Sequence, residues 1–145
     1  MRQSIIIEGQ PVAAPRQTRS DRWRQRPAVM RYRAWCERAR IIAAKNPHYI
    51  QCQNIAPSAK VRVHAFLAFP KSYSVRKRES LRGLPHVLKP DADNICKSIL
   101  DALFKESDSA IHTIYIAKRW DDGDGARTIV EIEADDEIVE KNNKT

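Results

Sequence analysis

The sequence predicts an α+β fold. A single domain, residues 1–145, carries one mixed β-sheet with two helices packed on it, in the order β-α-β-α-β-β. Three observations lead there. The chain has 145 residues, of which 42% are hydrophobic, enough for one core. Apolar residues recur at three- and four-residue steps in two stretches and at every second residue in another. The helical stretches alternate with strand-like ones and two strand-like runs close the chain, an order that one sheet with helices on it accommodates.

Residues 4–8, SIIIE, form a β-branched run stopped by Gly9 and Pro11, which reads as a strand. Residues 16–28 then form a basic arm with no apolar periodicity, containing Arg16, Arg19, Arg22, Arg24 and Arg26. From about Val29 to Lys45, the residues Met30, Ala34, Trp35, Arg38, Ile41, Ile42 and Lys45 fall at helical steps, giving a helix with an apolar stripe and a basic outer face. Asn46 and Pro47 end it. In residues 60–69, KVRVHAFLAF, Val61, Val63, Ala65, Leu67 and Phe69 alternate with Arg62 and His64, as in a strand with one buried face. A second basic loop follows, with Lys71, Arg76, Lys77, Arg78 and Arg82. A second helix spans about Ala92 to Phe104 on a stripe of Ile95, Ile99, Leu100 and Leu103. Residues 111–116 and 127–133 read as strands, and the DDGDG turn between them (121–125) predicts a hairpin. Residues 134–145 are a polar tail.

Charge is divided along the chain. Residues 1–90 carry a net +15 and residues 91–145 a net −7, within an overall +8. A basic half rich in Arg suits a polyanion, because the planar guanidinium donates two parallel hydrogen bonds to phosphate. The acidic half suits a function that needs carboxylates. No run of about 18 apolar residues exists to cross a membrane, and the first residues hold an apolar run too short for a signal peptide. A soluble cytoplasmic protein is the expectation. Cys36, Cys52 and Cys96 have no zinc spacing and read as reduced thiols.

Residues 89–104, KPDADNICKSILDALF, could carry chemistry. Asp91 or Asp93 would suit a helix start as a cap and as a partner for the helix dipole. Capping does not explain the rest of the pattern. Asp93, Lys97 and Asp101 recur every four residues along one helix face. Asp108 lies beyond the helix, and joins Asp91 and Asp93 if the next strand runs back beside the helix start. Three clustered carboxylates repel one another and call for a cation. Hard oxygen ligands suit Mg²⁺, with Mn²⁺ as a substitute. A metal-bearing carboxylate cluster beside a basic surface is the composition of a phosphodiester-cleaving enzyme. DADNIC is not an EF-hand loop, since Cys96 stands where Gly is needed and Ala102 where an acid is needed. DDGDG follows no liganding pattern. The four histidines are scattered, although His86 and His112 flank the acidic cluster.

The stretch PDADNICKSILDAL resembles the signature of the RusA family of Holliday-junction resolvases, endodeoxyribonucleases of bacteria and their phages. That signature is roughly D-x-D-N-x-x-K-x-x-x-D-A-L, then D-D-x-Q and a strand. Asp91, Asp93, Asn94, Lys97, Asp101, Ala102 and Leu103 match its first part. In the second part Ser107, Asp108, Ser109 and Ala110 stand before Ile111, so one acid and the Gln are replaced, and the connection is shorter than usual. A strand with a G-x-P turn at Gly9 and Pro11, a basic arm, a helix and a strand also precede the motif, as in the family.

The resemblance implies a homodimer that binds four-way DNA junctions and makes paired symmetric nicks with Mg²⁺ in recombination and repair. Asp91, Asp93 and Asp108 match the metal-binding acids, with Glu106 as the alternative third ligand, and Lys97 matches the essential lysine. Arg16, Arg19, Arg22, Arg24, Arg26, Arg76, Lys77 and Arg78 are the expected DNA contacts; for Trp23 in the arm packing is the first expectation and stacking on an opened base the second. Two other readings remain: a junction-binding protein without catalysis, and a metal-dependent nuclease for flap or RNA substrates.

Overall fold

A computed structural model of the chain describes residues 2–16, 26–46, 59–105 and 110–134. Its elements are β1 (Arg2–Glu8), α1 (Pro27–Ala44), β2 (Ala59–Leu67), α2 (Val75–Leu81), α3 (Ala92–Leu103), β3 (Ile111–Trp120) and β4 (Arg127–Ala134). They build the expected α+β arrangement, one mixed four-stranded sheet in the order β1-β4-β2-β3. β4 runs antiparallel to both β1 and β2, while β2 and β3 are parallel, with Ala59 beside Ile111 and Leu67 beside Trp120.

The predicted hairpin of the last two strands is therefore wrong: β2 lies between β3 and β4. Burial accords with the edge place of β3. Thr128, Val130 and Ile132 of β4 are buried, which suits an interior strand, whereas β3 is mostly exposed or half-buried and takes an edge. The acidic turn bridges that gap. Asp121 accepts from the amides of Gly123 and Gly125, both at 2.9 Å, and Arg127 grips Asp122 with two bonds of 2.9 and 3.1 Å. Gly123 and Gly125 have φ of 113° and 96°, open to glycine because it lacks a Cβ.

The second basic loop contains a helix that periodicity does not reveal. In α2 no residue is buried, and its signal is local: the Ser74 hydroxyl accepts from the Lys77 amide at 3.2 Å. The buried face of α1 also differs from expectation. Val29, Tyr32, Trp35, Cys36, Ala39 and Ala43 are buried, while Met30 and Ile41 are 43% and 53% exposed. Hydropathy favours the large residues, but small ones at Cys36, Ala39 and Ala43 allow close approach of the neighbouring elements.

The main core joins Ile5, Ile7, Val61, Val63, Val130 and Ile132 of the sheet to α1 and to Ile99, Leu103 and Phe104. A smaller cluster of Ala65, Leu67 and Ile95 lies at the other end of α3. The first turns of α3 thus pack at the carboxyl ends of β2 and β3, and its last turn packs toward the start of β2. Among the described residues no helix is long and apolar enough to cross a membrane.

Candidate active site

α3 follows the sequence expectation closely. Ile95, Ile99 and Leu103 are buried, Leu100 is half-buried, and the polar row lies to one side. Asp91 occupies the N-cap position, after a cis Lys89–Pro90 peptide, but its side chain makes no cap hydrogen bond. The capping explanation fails for Asp91, and its carboxylate is exposed. It borders an open hollow of about 470 Å³ together with Lys89, Pro90 and Asn94. Asp93 in the first turn and Lys97 one turn later are exposed as well.

Asp101 leaves this row. It is half-buried and accepts a 2.5 Å hydrogen bond from the Tyr32 hydroxyl of α1. Burial, followed by the bond to Asp101, raises the Tyr32 pKa well above its usual value, so the phenol stays a donor. Arg40 adds bonds to the carbonyls of Ala102 and Asp101, at 3.1 and 3.2 Å, where helix carbonyls lack partners. Asp101, the last member of that row, is thus part of the α1–α3 joint.

Asp108 and its alternative Glu106 lie outside the described residues, as do Arg19, Arg22, Trp23 and Arg24. Among the described residues no group of three His, Cys, Asp or Glu side chains could hold a metal. Asp91 and Asn94 share the hollow, while Asp93 is exposed beside it in sequence and does not line it, so the described residues hold oxygen donors short of a full cage.

The expected DNA contacts divide. Arg16, Arg76 and Lys77 are exposed, and the Lys77 ammonium lies 3.8 Å from the centre of the Tyr73 ring. Arg78 is half-buried and donates to the carbonyls of Pro70 and Lys71, both at 3.3 Å, so it holds the turn before α2. Arg26 donates to the Arg16 carbonyl at 2.9 Å and ties the two ends of the arm together.

His86 is buried against Trp120, with ring centres 4.3 Å apart, and its Nδ1 has no hydrogen-bond partner. Burial first, and the Lys118 charge second, lower its pKa. Trp120 also stacks on Phe69 at 5.1 Å, and this aromatic group closes the sheet end that carries α3. Residues 84–86 run along the outer side of β3: the Trp120 amide donates to the Leu84 carbonyl and the His86 amide to the Lys118 carbonyl. Lys118 was invisible to sequence reasoning, because a lysine in a strand has no local signal.

A family model described as Endodeoxyribonuclease RusA matches residues 8–133, nearly the whole chain. No curated protein matches it. The match runs from the last residue of β1 into β4 and includes the exposed carboxylates, Lys97 and the α1–α3 joint, so the chain belongs to the RusA family of endodeoxyribonucleases, the enzymes that resolve Holliday junctions.

Proposed function

We propose that this chain is a Mg²⁺-dependent endonuclease that cuts four-way junctions by paired symmetric nicks. The observation that carries the reading is the start of α3, where Asp91 and Asp93 stand open in the family motif and Asp91 does no capping. Asp91 and Asp93 would hold the cation, which supplies an activated water and charge neutralisation. Lys97, one turn from Asp93, would meet the scissile phosphate. Arg16, Arg76 and Lys77, together with Arg19, Arg22 and Arg24 of the arm, would follow the DNA backbones.

The same reading assigns the third acid to a second copy. β3 starts at Ile111 beside Ala59, and Lys118, seven residues on, touches the loop before Asp91. At about 3.3 Å per residue, those points are roughly 23 Å apart. Asp108 precedes Ile111 by only three residues, so an Asp108 ligand is better supplied by a partner than by its own chain. Leu84, Val87 and Leu88, just before the Asp91 loop, are 49%, 84% and 51% exposed, an apolar surface suited to cover by a second copy. Two-fold symmetry would then bring two sites to two strands.

The test is cleavage of a labelled four-way junction, with linear duplex, flap and RNA controls, by wild type and Asp93→Asn. Symmetric Mg²⁺-dependent nicks on the junction, lost in the variant while junction binding persists, are expected. Junction binding without Mg²⁺-dependent cleavage would refute the catalytic reading, and preferred cleavage of flap or RNA would refute the substrate.

A further inference from the structure

We infer that Lys118 is a positioning residue that holds the Asp91 loop in its metal-ready form. The inference rests on the reading that Asp91 is a metal ligand. The Lys118 ammonium donates to two carbonyls of one short segment, Leu88 at 2.6 Å and Pro90 at 2.7 Å. Pro90 is the residue before Asp91, so the second bond fixes the peptide from which Asp91 departs. Among the described residues, these are the bonds that join residues 87–90 to the sheet.

The rest of the segment makes such a tie necessary. Main-chain bonds secure it to β3 at Leu84 and His86, and α3 takes over with the bond from the Ile95 amide to the Asp91 carbonyl. Between those anchors Val87, Leu88 and Lys89 are exposed in the single chain, so packing within its own fold does not hold them. A charged donor suits the task, since hydrogen bonds from an ammonium are roughly twice as strong as neutral ones. Lys118 itself is half-buried on a strand, a firmer base than another loop would be. A ligand carboxylate displaced by even about half an ångström binds a small cation poorly, because Mg²⁺ demands near-ideal geometry.

Lys118→Met keeps the length of the stem and removes the donor. Outer partners of metal ligands typically contribute about 10–100-fold in affinity. The experiment measures Mn²⁺ binding to the full chain by electron paramagnetic resonance, for wild type, Lys118→Met, Lys118→Arg and Asp91→Asn. Thermal melts and metal-free junction binding accompany it. Expected are Mn²⁺ affinity weakened about tenfold or more in Lys118→Met, partial recovery in Lys118→Arg, and unchanged junction binding. If affinity depends on Asp91 but not on Lys118, the positioning role is wrong and the metal reading stands, whatever the melts show. If Lys118→Met loses metal-free junction binding, Lys118 is a DNA contact instead. If affinity is independent of Asp91, both readings fall.

Discussion

Asp101 stands in the same helical row as Asp93 and Lys97, yet its carboxylate ends on the Tyr32 hydroxyl. Tyr32→Phe should therefore lower stability by about 1.5 kcal/mol, the lower range for a hydrogen bond to a charged group, while junction cleavage persists. Denaturant unfolding and the junction assay check the two halves. His86 couples stability to pH. Its folded pKa is depressed, mainly by burial, so the unfolded chain binds the proton more readily. The stabilising share of neutral His86 is complete above the unfolded value near 6.5 and is lost as pH falls through the lower folded value. Melts from pH 7 to pH 5 should show a smaller loss of stability in His86→Phe than in wild type; equal losses would exclude His86 as the titrating group.

At the scale of elements, α2 shows how a basic run divides its labour. Arg76 and Lys77 are exposed, whereas Arg78 braces the preceding turn. Replacing Arg76 and Lys77 with Glu should weaken binding to any DNA and flatten its salt dependence by roughly two phosphate contacts, at a stability cost of no more than about 1 kcal/mol from the lost Lys77–Tyr73 contact. Arg78→Ala should instead lower the melting temperature. A salt slope unchanged by the double replacement would remove α2 from the DNA face. The sequence made β1, β2 and α3 legible because each carries its own period: Val61, Val63, Ala65 and Leu67 point one way, and Ile95, Ile99 and Leu103 make one stripe. α2 buries nothing, so no period could mark it. The stripe of α1 was misread because its buried face uses Ala39 and Ala43 rather than Ile41. The hairpin was misread because a turn signal is local, while the choice of β4 as an inner strand depends on contacts with β1 and β2.

At the scale of the whole molecule, half of the candidate site was legible and half was not. Asp91, Asp93 and Lys97 share one helix start, where spacing alone places them. The relation of Asp108 to them depends on which end of the sheet β3 starts from, and Lys118 joins the site only through the third dimension. A site shared between copies predicts complementation: Asp93→Asn mixed with Asp108→Asn should regain one intact site per mixed pair and nick one strand. Sites contained in single chains would leave that mixture inactive. The most direct test of the central claim uses a supercoiled plasmid that extrudes a cruciform. The first nick releases the supercoiling that maintains the junction, so only paired nicks within one bound complex linearise the plasmid. With Mg²⁺ the wild-type protein should convert supercoiled plasmid directly to linear DNA, and Asp93→Asn should leave it supercoiled. Nicked circles alone, or no cutting, would contradict a paired junction-cleaving enzyme.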